Sequence, residues 1–534
     1  MDSAIHAEID AEKRRIALMI FIIGVSSAFL LFRLNFYPNV FTDEGNGMYD
    51  SWCLAKYGMD SHLIRNPIYL PGYRGQGQSV LYALIASLSL RIFGYKLWAF
   101  RLPLVLICIA NMVLMAFAGM RRKADSETFY TVLAVGTSPW MLTVTRFGMD
   151  CNVAPFIFSI GCILLYLGCT EEREGFRKAG LISGAIVMAL VCYSYNVSWI
   201  FLPVFMVALL TTLIKSKKVN IGELIIPAAV FIMIALPIMI FAVRSNISSL
   251  NQSIKILWMT LPKLAEGRAG ESFIDISDGI IPAIRTNLYK GIRMFANGTD
   301  LLPWNSPGNF GPYYMFTLPF FFQGMAVRLK RKSTADLFVL AQFIGMIPVM
   351  LFVTPNYNHW IFIHFACLFT IGTGLSDVLS RVGEIDSLRF FKTAVLCAYA
   401  FFAVWFFHQY FHASRFTGWD SDSRAKMLAL DTEKYEKVYV VTEQDDFLEN
   451  LRFALPVSPE EFQATKDHPY SETEYTMETT YSNFELLSDD TEIRDNSLFL
   501  IQKAKAEDNE ALVSGLTDIG EFKMYEIKYL VYEN

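Results

Sequence analysis

Apolar runs near the length of a bilayer crossing recur along most of the chain, separated by short polar loops. About 20 residues of helix cross a hydrocarbon core. Runs that approach this length lie at 16–34, 100–119, 127–142, 152–169, 179–196, 198–214, 222–243, 312–327, 336–353, 359–376 and 393–410. The loops richest in Lys and Arg are Lys13–Arg15, Arg121–Lys123, Arg173–Lys178, Lys215–Lys218, Arg328–Lys332 and Arg381–Lys392, and such loops face the cytoplasm. If all six do, an even number of crossings separates each from the next. Between Arg15 and Arg121 there is one apolar stretch too many, and 78–93, short and carrying Arg91, is the one that does not cross. We read it as a helix lying in the outer interface. Eleven crossings from a cytoplasmic N-terminus then leave 411–534 outside. There the pattern changes: 437–442, 497–503 and 523–533 read as strands and 458–466 as a helix. The expected architecture is an all-α polytopic membrane domain over 1–410, with interfacial helices in its first outer loop, and a small extracytoplasmic α/β domain over 411–534.

Composition agrees. The chain is 53% hydrophobic and 18% charged, against roughly 25% charged in a typical soluble protein. Its net charge of −5 hides a division: 1–410 hold 34 Lys+Arg and 24 Asp+Glu, the tail 12 and 27. No global basic excess points to nucleic acid. All eight cysteines precede residue 411 and none forms a CxxC motif, which argues against a zinc or disulfide framework. Lys13-Arg14-Arg15 ahead of 16–34 reads as an uncleaved signal anchor.

Chemistry is expected on the outer face, in 35–99, 244–311 and the tail. Asp43 and Glu44 open a helix there that ends at Gly58. A carboxylate in that place can take a proton from an incoming hydroxyl, or simply cap the helix. Arg101 heads the second span and Arg146 ends the third, followed by Asp150 and Asn152. These arginines suit a phosphate; snorkelling, or an Arg146–Asp150 pair closing the turn, accounts for them as well. Tyr73, Arg74, Gln76 and Gln78 form a polar aromatic stretch suited to sugar hydroxyls and phosphate. Trp304, Asn305, Asn356, Asn358 and His359 precede later spans, with His359 a phosphate ligand or a cap.

Together, the Asp43-Glu44 pair after span one, the stretch from Gln78 to Arg101-Leu102-Pro103, Ser138-Pro139 in span three and the Arg146/Asp150 pair resemble the GT-C glycosyltransferases, in the branch of protein O-mannosyltransferases and the lipid A aminoarabinose transferase. The resemblance covers roughly 16–200; beyond it, only the Asn-Tyr-Asn-His corner at 356–359 and the span count match, and the tail has no counterpart. It implies an inverting transfer from a polyprenyl-phosphate sugar to a hydroxyl of an envelope polysaccharide, lipid or protein, in a multi-pass cell-membrane enzyme. Asp43 would be the base, with Glu44 beside it in the acceptor or metal site. Arg101, Arg146, Arg74 and His359 would hold donor phosphate. Asp150, Asn152, Tyr73, Gln76, Gln78, Trp304, Asn305, Asn356 and Asn358 would line the substrate. The need for a divalent cation stays open. The sequence also allows a transporter or flippase of lipid-linked sugar, with the same charges lining a path, and a membrane-anchored binding module with the acidic tail as its working part.

Overall fold

The computed structural model describes residues 2–72, 75, 77–121, 126–247, 252–264, 272–302, 304–305, 310–383, 385, 389–412, 421–444, 447–465, 479–508, 510–524 and 527–534. Along the chain the helices are α1 (Asp2–Leu31), α2 (Thr42–Tyr57), α3 (Val80–Phe93), α4 (Leu97–Met120), α5 (Ser126–Gly136), α6 (Pro139–Val144), α7 (Asp150–Thr170), α8 (Glu174–Val191), α9 (Ser198–Lys215), α10 (Ile221–Ile247), α11 (Ile280–Asn297), α12 (Leu318–Arg331), α13 (Thr334–Phe352), α14 (His364–Gly383) and α15 (Arg389–His412). The tail adds α16 (Ser421–Ala429), α17 (Phe447–Ala454), α18 (Pro459–Thr465), α19 (Lys503–Asp508) and α20 (Glu510–Val513). The chain divides into two compact units. One comprises Met1–Phe32, Leu102–Val243 and Ala269–Ser414; the other comprises Arg33–Arg101, Arg244–Arg268 and Arg415–Asn534.

Among the described residues eight helices are long and apolar enough to cross a membrane: α1, α4, α7, α9, α10, α13, α14 and α15. Three of the eleven expected crossings fall short, each for a local reason. The run 127–142 breaks between α5 and α6, where Pro139 has no N–H to donate and the Ser138 side chain accepts from Met141 N instead. Helix α8 starts among Glu174, Arg177 and Lys178, so its apolar part is short. Helix α12 starts only at Leu318, with a proline in its first turn, and ends in Arg328, Lys330 and Arg331. The stretch 78–93 yields α3, at 14 residues too short to span.

The first unit is helical. Helices α12 and α14 pack backbone to backbone, since a Cβ on Gly374 would lie 1.7 Å from the Phe320 carbonyl oxygen. Phe158, Phe201, Phe205 and Phe362 stack and edge into one another inside it. Where α5, α12 and α13 meet, Arg328 and Arg331 bond to Asp336, and Arg331 also to Glu127.

The second unit joins the loop that follows α1 and the segment 244–268 to the tail. Its six-stranded sheet runs β6 (Thr480–Tyr481), β7 (Phe484–Leu486), β5 (Lys437–Val441), β8 (Ser497–Gln502), β10 (Ile527–Glu533) and β9 (Thr517–Met524). Strand β5 is parallel to β7 and β8, while β10 is antiparallel to β8 and β9. Every residue of β8 is buried, as a central strand requires. The expected strand at 523–533 is the second half of a hairpin, β9 entering and β10 leaving. Short pairs β1 (Tyr69–Leu70) with β2 (Gln78–Ser79) and β3 (Ile254–Ile256) with β4 (Met259–Leu261) complete the unit, and α3 packs along α2.

Candidate active site

Helix α2 follows Phe41, whose extended backbone (φ −100°, ψ 170°) supplies no side-chain cap. Thr42 is thus the first helical residue rather than a cap. Asp43 and Glu44 lie in the first turn, where unsatisfied N–H groups and the helix dipole favour anions. The helix ends where the sequence places its stop: Gly58, at φ 71°, donates its N–H to the Leu54 carbonyl. The two acids then part. Glu44 is fully buried and accepts two bonds from Arg101, Nε to Oε1 at 2.7 Å and Nη2 to Oε2 at 2.6 Å. Arg101, equally buried, gives its remaining Nη1 to the Leu34 carbonyl at 3.1 Å. Asp43 is half-buried. Gln78 lies against the same helix, where a Cβ on Gly47 would meet its Nε2 at 3.0 Å. Tyr73, Arg74 and Gln76 lie outside the described residues.

Further along α2, buried Asp50 accepts from Ser61 N at 2.9 Å. Asp60 Oδ1 accepts from His62 N and Ile64 N. Burial raises both carboxyls above the usual range, Asp60 well above it with the Asp50 charge adding to the effect.

The other candidates belong to the first unit. Arg146 is fully buried and caps the C-terminus of α1, giving Nη1 to the Phe29 and Leu30 carbonyls at 2.6 and 2.8 Å and Nη2 to Phe32 at 2.8 Å. Its guanidinium also stands 5.3–5.5 Å from the rings of Phe29, Tyr410 and Phe411. Asp150 opens α7 and accepts from Cys151 N. Asn152 is buried and donates to the Phe147 carbonyl. Asn358 reaches this turn, donating to Cys151 Sγ at 3.1 Å, and accepts from Asn305. Asn305 in turn donates to Asp300 Oδ2 at 2.8 Å, which also accepts from Tyr357 N.

Sequence reasoning passes over Asp300, although an aspartate accepting from the N–H two residues on, here Leu302, is a turn signal. Burial raises its carboxyl, against the pull of the Tyr357, Asn305 and Leu302 bonds. Asn356 accepts from His359 N, and His359 Nδ1 donates to the Thr354 carbonyl at 2.8 Å, so both shape the turn before α14. Trp304 is half-buried beside Asn305 in sequence. The cavity lined by Asn305, Asn358, Thr143 and Trp140 holds about 10 Å³, room for one water and not for a sugar. Among the described residues no three His, Cys, Asp or Glu side chains stand close enough to hold a metal ion.

No protein-family model matches this sequence, and no curated protein matches it. Solved structures do. ArnT from Cupriavidus metallidurans bound to undecaprenyl phosphate aligns over 96% of this chain and 98% of its own, at 12% identity and a TM-score of 0.58. Its apo form gives 0.55 at 10% identity over the same spans. The Archaeoglobus fulgidus oligosaccharyltransferase, tethered with an acceptor peptide containing the NVT sequon, aligns over 83% of this chain and 63% of its own, at 12% identity and a TM-score of 0.50. From its membrane helices through its tail domain, this chain has the GT-C fold.

Proposed function

We propose that the protein is an inverting glycosyltransferase that moves a sugar from a polyprenyl-phosphate donor to an acceptor hydroxyl on the outer face of the membrane. The observation that carries this reading is the division of labour between the two acids at the head of α2, in a chain aligned from end to end with a structure holding undecaprenyl phosphate. A fully buried carboxylate whose two oxygens are both taken by a guanidinium has no face to offer an incoming hydroxyl. Glu44 therefore fixes the turn, and half-buried Asp43 takes the acceptor's proton. The hydroxyl oxygen attacks the anomeric carbon from the face opposite the lipid phosphate, that C–O bond breaks, and the configuration inverts. With Arg101 given to Glu44 and Arg146 to the end of α1, these two arginines serve the framework in this reading. Arg74 and His359 keep in this reading the phosphate-binding role that the resemblance gives them.

The test is transfer by purified protein from synthetic polyprenyl-phosphate sugars to an envelope extract. Asp43→Asn keeps size and most hydrogen bonding but cannot accept a proton. It should lower the rate by roughly 10²- to 10⁴-fold while donor binding persists. Wild-type rates in the variant would remove Asp43 from the mechanism.

A further inference from the structure

In the second unit, α17 of the tail lies against α2. Every residue of α17 is buried, including Glu449, Asn450 and Arg452 at 1, 2 and 3% exposure. A short helix of a tethered soluble domain would turn such side chains to water, because burying a charge without partners is costly. Here first-loop residues receive two of them, Asn450 and Arg452. Arg452 Nη1 donates to Asn46 Oδ1 at 2.8 Å, and its guanidinium lies 4.4 Å from the Phe462 ring. Asn46 Nδ2 passes the restraint on, donating to the Thr42 carbonyl at 2.9 Å. Asn450 Oδ1 accepts from the Thr42 hydroxyl at 3.4 Å. Two α17 side chains thus converge on one residue, from its carbonyl side and from its hydroxyl, and that residue immediately precedes Asp43.

Other contacts hold the same two segments. The Tyr49 hydroxyl donates to the Val457 carbonyl, Tyr95 to the Arg452 carbonyl and Gln463 to the Ser61 carbonyl. Gly45 allows the close approach, since a Cβ there would stand 3.2 Å from Phe453 Cβ.

We propose that Asn450 and Arg452 of the C-terminal domain are positioning residues for Asp43, so that the tail is part of the catalytic framework rather than an appended module. The inference rests on Asp43 being the base. Misplacing a catalytic group by about 1 Å costs up to 10²-fold in rate. Arg452→Met should therefore lower kcat on the order of 10- to 100-fold with donor KM nearly unchanged, and Arg452→Lys, which still donates to Asn46, should recover most of it.

The milder pair Thr42→Val and Asn450→Ala gives a double-mutant cycle. If both act through one bond, the double variant is no slower than the slower single variant. Amide exchange read on the same proteins should accelerate in 42–57 while α7 and α9 are unchanged. Full kcat in Arg452→Met and Asn450→Ala, additive losses in the cycle, or exchange rising equally in α7 and α9 would each overturn the proposal. Asp43→Asn run alongside keeps the two ideas separate. Wild-type activity there removes the base, whereas exchange confined to α2 with no change in kcat removes only the positioning role.

Discussion

Glu44 and Arg101 are both fully buried and joined by two short bonds, and a pair of this kind stands or falls as a unit. Bringing two charges out of water costs several kcal/mol each, repaid only while geometry and partners hold. Glu44→Gln leaves the guanidinium charged and buried, so it should destabilise the protein by about 3–5 kcal/mol. The pair replaced together by leucines should regain most of that loss. Thermal unfolding of the detergent-purified variants reads both. If Glu44→Gln unfolds like wild type while donor binding is lost, Arg101 serves the donor and not the acid turn. The sequence shows that these residues carry weight, because charges at a membrane rim are costly. It does not show what they meet: that depends on the chain returning 57 residues later to place Arg101 beside Glu44.

Helix α2 and its stop at Gly58 are legible because local chemistry determines them, a glycine at positive φ closing the last turn. The break at Ser138-Pro139 has an equally local cause, yet hydropathy averaged over a span hides it. The contacts of α17 with α2 are not legible, since pairing between residues about 400 apart leaves no periodic trace. Also unforeseen is the acid at the far end of the α2 region, Asp60, whose Oδ2 is buried without a partner among the described residues. Because burial raises its folded pKa, the folded state holds a proton that the unfolded chain releases at about pH 4. The stability it lends is thus fully present below that pH and is lost as pH rises through the raised value. Asp60→Asn keeps an oxygen to accept from His62 and Ile64 and removes the charge. It should be more thermostable than wild type near pH 8 and equal to it near pH 4. Parallel melting curves at all pH values would mean that Asp60 is not protonated in the fold.

At the scale of the whole chain, the basic loops set an orientation that eight full-length helices and three shorter ones can satisfy together. The shorter three are α5 with α6, α8 and α12, each cut down by proline or flanking charge rather than missing. An odd number of crossings from a cytoplasmic N-terminus would put α2, its acids and the tail on the outer side, the side the proposed transfer requires. This orientation is a prediction that two exposed serines can decide. Ser488 lies in the tail and Ser216 in the Lys215–Lys218 loop, and both face solvent. In a Cys397→Ser background, which removes the exposed native thiol, Ser488→Cys should react with a membrane-impermeant maleimide on intact cells. Ser216→Cys should react only after permeabilisation. The reversed pattern would put Asp43 in the cytoplasm, where the proposed outward-facing transfer could not occur. Labelling of both sites on intact cells would mean that an even number of segments separates them, so that α12, the one shortened segment between them, does not cross.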